Sequence, residues 1–144
     1  MAVKPIPEGH NSVSPYLIVH GAAQVIELLT QAFDGTELFR MPTPDGTIGH
    51  AEVKIGDSVV MIADATAEFP PSPATVHVYV NDVDAVYQRA VRAGAESVRE
   101  PADQFYGDRN AAVKDAGGNQ WFISTHKEDL SPEEIERRAQ AAAR

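Results

Sequence analysis

Residues 75–100 read TVHVYVNDVDAVYQRAVRAGAESVRE. The first six alternate, with Val76, Val78 and Val80 on one face and Thr75, His77 and Tyr79 on the other, the pattern of a half-buried strand. The spacing then changes. Asp82 is placed to cap a helix whose stripe is Val83, Val86, Tyr87, Ala90 and Val91, and Gly94 ends it. ESVREP (96–101) reads as a strand ending at Pro101. RNAAVKDAGGNQWFISTH (109–126) reads as two more strands about a Gly-Gly-Asn turn, where glycine permits positive φ and Asn tolerates it.

The order strand, helix and three strands occurs twice. SVSPYLIVHG (12–21) reads as a strand, and AAQVIELLTQAFDG (22–35) as a helix with Ala22, Val25, Ile26, Leu29 and Phe33 in one stripe. TELFRMP (36–42) is a strand, TPDGT a turn, and IGHAEVKIGDSVVMIAD (48–64) two strands about Gly-Asp. Displaced by 61, Val19 falls on Val80, Ala32 on Ala93 and Gly46 on Gly107. AEVK (51–54) falls on AAVK (111–114) at 60, and GDSVVMI (56–62) on GNQWFIS (118–124) at 62. A repeat of this length implies two copies of one supersecondary unit. The expectation is an α+β fold in one domain, 1–144, with βαβββ modules over 12–64 and 74–126. An N-terminal arm covers 1–11, a Pro-rich linker joins the modules, and a helix covers 131–143, with Ser131 as cap, Pro132 first and Glu134 closing a capping box. One helix per module covers one face of its sheet. Two such sheets together leave a concave face, a natural small-molecule cleft.

The chain carries a net charge of −9, which argues against a nucleic-acid partner. No apolar run approaches the roughly 20 residues that span a bilayer, so no membrane is expected. MAVKPIPEGHNS (1–12) lacks the apolar centre of a signal peptide, which favours the cytoplasm. With no Cys there is no disulfide, thiolate metal site or Cys nucleophile. No phosphate loop, dinucleotide fingerprint or nucleophile elbow appears, and no cofactor is expected.

The paired modules, with VNDVDAVYQRAVRAGAE and KDAGGNQWFIS, resemble the vicinal oxygen chelate superfamily, which contains glyoxalase I, extradiol dioxygenases, fosfomycin-resistance enzymes and bleomycin-binding proteins. GHAEVKIGDSVVMIAD, DQFYGDRNAAVKD and THKEDLSPEEIERRA are similar to its PhnB-like branch. The resemblance implies a glyoxalase-like concave sheet and a homodimer. It also places four metal-ligand positions of the metal-dependent members on Ser14, Val60, Thr75 and Phe122. None offers an imidazole or carboxylate, so the usual metal site is expected to be missing.

Alternation puts Ser14, Tyr16 and Ile18 on the cleft side of the first strand, and His50, Glu52 and Lys54 opposite the packed Ala51, Val53 and Ile55. The resemblance places Phe122 in the cleft, bringing Gln120, Ser124 and His126 onto its face, with Trp121 and Ile123 packed behind. His10 and His20 read as solvent groups. Arg109 either clamps a carboxylate or phosphate through its planar fork or bridges Asp108, Asp103 or Glu52. The leading expectation is a small organic ligand, partly aromatic, in a cleft lined by Tyr16, Val60, His77, Tyr79 and Phe122. The alternative is a metal-dependent lyase, isomerase or dioxygenase with a displaced site of His50, Glu52 and His77. A third is metal-free acid–base catalysis by His77.

Overall fold

The computed structural model describes residues 2–143. The first module contains β1 (Tyr16–Val19), α1 (Ala22–Ala32), β2 (Thr36–Pro42), β3 (Ile48–Ile55) and β4 (Ser58–Asp64). The second contains β5 (Thr75–Tyr79), α2 (Val83–Arg92), β6 (Glu96–Asp103), β7 (Asp108–Lys114) and β8 (Gln120–His126), and α3 (Pro132–Ala142) follows. The sheets have the orders β1-β4-β3-β2 and β5-β8-β7-β6. β1 runs parallel to β4 and β5 parallel to β8, while the remaining pairs are antiparallel. α1 and α2 therefore lie in the crossovers that the two parallel pairs require.

One face of each sheet packs under the helices. Leu17, Val53, Val60 and Ile62 from the first sheet share a continuous buried cluster with Val25, Ile26 and Leu29 of α1 and with Val113, Trp121 and Ile123 of the second sheet. The modules meet through α1 against α2. Arg89 donates to the Ala32 carbonyl at 3.0 Å. The Phe33 and Trp121 rings lie 5.3 Å apart.

The helix starts differ. Asp82 caps α2 by accepting from Ala85 N–H at 3.1 Å. Ser131 caps α3 in the same way through Glu134 N–H, but the Glu134 carboxylate turns to Arg137 and Arg138 instead of completing a capping box. No side chain of its own segment caps α1. Asp64, at the end of β4, accepts from Gly21 and Ala22 N–H at 3.0 and 2.9 Å and, through its other oxygen, from Ile48 N–H at 2.7 Å.

The Gly-Gly-Asn turn is organised by Asp115, whose buried carboxylate accepts from Gly117 N–H, from the Asn119 backbone and side chain, and from Trp121 Nε1–H at 2.9 Å. A side chain at Gly117 would meet Val19 at 2.7 Å, because the turn presses on β1 of the other module. β6 continues past Pro101 to Asp103, further than the sequence suggests. It is an edge strand with a register shift between Arg99 and Ala102, where a residue without an N–H is tolerated.

Candidate functional site

The faces turned away from the helices carry most of the expected site residues. In the first sheet Tyr16 lies beside Met61, and Met61 beside Glu52. Tyr16 OH is 3.0 Å from His50 Nδ1, His50 Nε2 is 2.9 Å from Glu52 Oε2, and Glu52 Oε1 is 3.0 Å from His10 Nε2. The hydrogen bond from His50 is the main influence holding the Glu52 carboxyl below the usual carboxylate range. His10 is therefore no free arm residue: the arm folds back and seals the far side of Glu52. Ser14 is half-buried just before β1.

In the second sheet Thr75, His77 and Tyr79 share the open face with Gln120, Phe122 and Ser124, their register partners across β8. His77 Nε2 lies 3.0 Å from Ser124 Oγ, which accepts from Asn110 Nδ2–H at 2.8 Å. Arg99 donates to Asn110 Oδ1 and lies 5.9 Å above the Phe122 ring. Tyr79 donates to buried Asp108 at 2.9 Å, and Asp108 also holds His126 at 2.7 Å. The Asp108 bond raises the Tyr79 phenol above its ordinary range. The sequence does not single out Asn110, and it offers Asp108 only as a partner for Arg109, not for Tyr79 and His126. Their signal is the alternation of β7 against its packed Ala111 and Val113.

Two expected residues lie elsewhere. Val60 faces the helices, opposite Val53, and Met61 takes the open-face position beside Tyr16. The turn-based displacement of 62 misplaces β4 by one residue. The ladders pair Tyr16 with Met61 and His77 with Phe122, a displacement of 61, and a one-residue slip reverses every side chain. Arg109 also lies on the helix side, where it grips Asp84 of α2 at 2.7 and 3.0 Å and Asp103 at 3.2 Å. Those carboxylates raise its pKa further, and it acts as a bridge.

The displaced metal set is not assembled within the chain, since His50 and Glu52 join His10 and Tyr16 whereas His77 joins Ser124. Among the described residues no group of three or more His, Asp or Glu side chains is arranged to hold a metal ion. At the positions implied by the resemblance, Ser14 and Thr75 offer hydroxyls, Phe122 offers no donor, and Val60 faces the core. This donor set does not fit a divalent ion.

A groove of about 920 Å³ runs between the modules. Val13, Val60, Val76, Val78, Phe33 and Trp121 supply apolar lining, and His77, Tyr79, Asp82 and Arg89 also border it. β5 runs along the groove and, among the described residues, pairs with a strand on one side only, β8. Among the described residues no helix is long and apolar enough to cross a membrane.

Comparisons with known proteins agree with this architecture. Uncharacterized proteins of Mycobacterium bovis and Mycobacterium tuberculosis are each 38% identical over 136 residues, covering 87% of this chain and 90% and 80% of the respective relatives. The crystal structure of TioX from Micromonospora superposes with a TM-score of 0.68 at 27% identity, covering 81% of this chain and 98% of TioX. TnmS3, an antibiotic binding protein from Streptomyces, superposes with a TM-score of 0.63 at 20% identity, covering 88% of this chain and 99% of TnmS3. The description "Glyoxalase/Bleomycin resistance protein/Dioxygenase superfamily" matches residues 11–123. With this match across both modules, the chain belongs to the glyoxalase/bleomycin resistance protein/dioxygenase superfamily.

Proposed function

We propose that this protein is a metal-free binder of a small, partly aromatic organic molecule, of the PhnB-like branch, working in the cytoplasm as a homodimer. The groove between the modules carries this reading. Its volume of about 920 Å³ suits a drug-sized molecule. Its valines and aromatic rings supply apolar surface, worth about 25 cal/mol for each Å² buried. The free edge of β5 supplies backbone donors and acceptors to orient the ligand, and His77 and Tyr79 stand at the rim. Their outer positions are fixed from behind by Ser124 and Asp108. TnmS3, which shares the fold, is described as antibiotic binding, and such a role suits this groove.

The test is titration of a panel of planar aromatic compounds, followed by NMR and thermal melting. Shifts are expected at Val76, His77, Val78 and Tyr79. His77→Ala should weaken binding about tenfold, the equivalent of roughly 1.4 kcal/mol, with an unchanged melting temperature. Shifts confined to other surfaces, or a His77→Ala protein that melts earlier but binds normally, would overturn the reading. Sedimentation of the pure protein tests the dimer, and elemental analysis of protein made without a His tag tests the absence of metal.

A further inference from the structure

The open face of the first sheet holds a hydrogen-bonded series that neither the groove nor the core requires. It runs from His10 through Glu52 and His50 to Tyr16, with links of 3.0, 2.9 and 3.0 Å. The His10, Glu52 and His50 side chains are 16%, 18% and 22% exposed, whereas Tyr16 is 46% exposed. The series is sheltered along its length and opens to solvent at the phenol. None of its members lines the inter-module groove.

Its chemistry fixes the direction of the hydrogen bonds. An ionised carboxylate only accepts, so both imidazoles present Nε2–H to Glu52. A neutral His50 then has a lone pair at Nδ1, and Tyr16 O–H donates to it. A hydroxyl, an imidazole and a carboxylate in this order form a positioned base with its orienting group, the general arrangement of an activated oxygen.

We propose that Tyr16 is a general acid–base residue, with His50 as proton acceptor and Glu52 and His10 as positioning residues, acting on the carbon beside the carbonyl of a small ketone that carries an aryl substituent. As the Tyr16 oxygen takes the proton from that carbon, the phenol proton moves to His50 Nδ1. The C–H bonding pair passes into the enolate, the phenol is restored, and His50 becomes an imidazolium held against Glu52. The proton returns by the reverse route to carbon, so the step needs no oxidant, reductant or metal. The aryl group is selected by the apolar rim. The Phe39 ring is 6.2 Å from that of His50, Met41 lies across from His50 on β2, and Met61 lies beside Tyr16. Phe39 and Met41 are half exposed.

Two measurements on the full chain test the proposal. ¹⁵N NMR near neutral pH should find His50 protonated at Nε2 and bare at Nδ1; a proton on Nδ1 would overturn it. Deuterium uptake by phenylacetone in D₂O, followed by ¹H NMR, should be faster with the protein than without it. Tyr16→Phe should remove about 100-fold or more of that rate, and His50→Gln a comparable amount. Both variants should still bind the ketone, as read by saturation transfer. A rate equal to that of buffer, or full activity in Tyr16→Phe, would overturn the relay. Either result would leave the groove reading intact, because the residues that test it are different.

Discussion

His126 sits between two carboxylates, with Nδ1 2.7 Å from buried Asp108 and Nε2 2.7 Å from Asp129. It joins the end of β8 to the segment that leads into α3. Asp108 is the larger cause, and Asp129 the second, of a raised imidazole pKa. Tyr79 is the other group on Asp108 and donates to it as a neutral phenol. The protonated ring is favoured in the folded chain, so its contribution is complete below the unfolded value of about 6.5 and is lost as pH rises through the higher folded value. Wild type and His126→Asn should therefore differ in melting temperature near about pH 5.5, and the gap should narrow by about pH 8.5. A gap that widens with pH would contradict this account. The sequence places His126 on the face of Phe122, but partners such as Asp108 depend on cross-strand register, which strand alternation alone does not reveal.

At the scale of the element, β4 is the instructive case. Both Val60 and Met61 are apolar, so composition cannot say which faces the core. The turns before β4 and β8 have different lengths, and aligning them shifts the strand by one residue. Packing under α1 decides the register, with Val60 against the core and Met61 on the open face. Val60→Lys should unfold the protein or cost more than about 3 kcal/mol, because a charge would enter the core unpaired. Met61→Lys should cost less than about 1 kcal/mol. Urea titration of the two variants checks this assignment, and equal losses would refute it. Elsewhere alternation serves well. His50 and Glu52 lie on the expected face because β3 has one clearly apolar side, and Tyr16 because β1 matches β5 in the repeat, where His77 takes the same place. His10 was unreadable for the opposite reason, as it lies in an arm with no period and its partner is 42 residues away.

For the whole molecule, the internal repeat made the two βαβββ units legible, but it did not reveal how they join. That junction depends on particular contacts: Phe33 against Trp121, Arg89 on the Ala32 carbonyl, and the bare Gly117 backbone beside Val19. It also explains why the expected cleft residues separate. Val60 borders the groove from the helix side of the first sheet, Tyr16 lies on the open face of that sheet, and His77, Tyr79 and Phe122 share the open face of the second, with His77 and Tyr79 also reaching the groove along β5.

The unlike helix starts of the two modules set an order of events as the chain folds. Asp82 lies beside the helix it caps, so α2 can acquire its first bond before distant segments arrive, and Thr125 adds a second bond later. α1 has to wait for Asp64, about 42 residues downstream, by which time β4 is in place. Contacts close in sequence form with the smaller loss of chain entropy, so the nucleus is expected in the second module, although the first leaves the ribosome earlier. Stopped-flow refolding should show Asp82→Ala slowing the folding limb, whereas Asp64→Ala should leave that limb nearly unchanged and accelerate unfolding. The reverse pattern would place the nucleus in the first module. Two copies of one architecture thus have unequal histories, because one helix carries its own starting signal and the other borrows it from the last strand of its module.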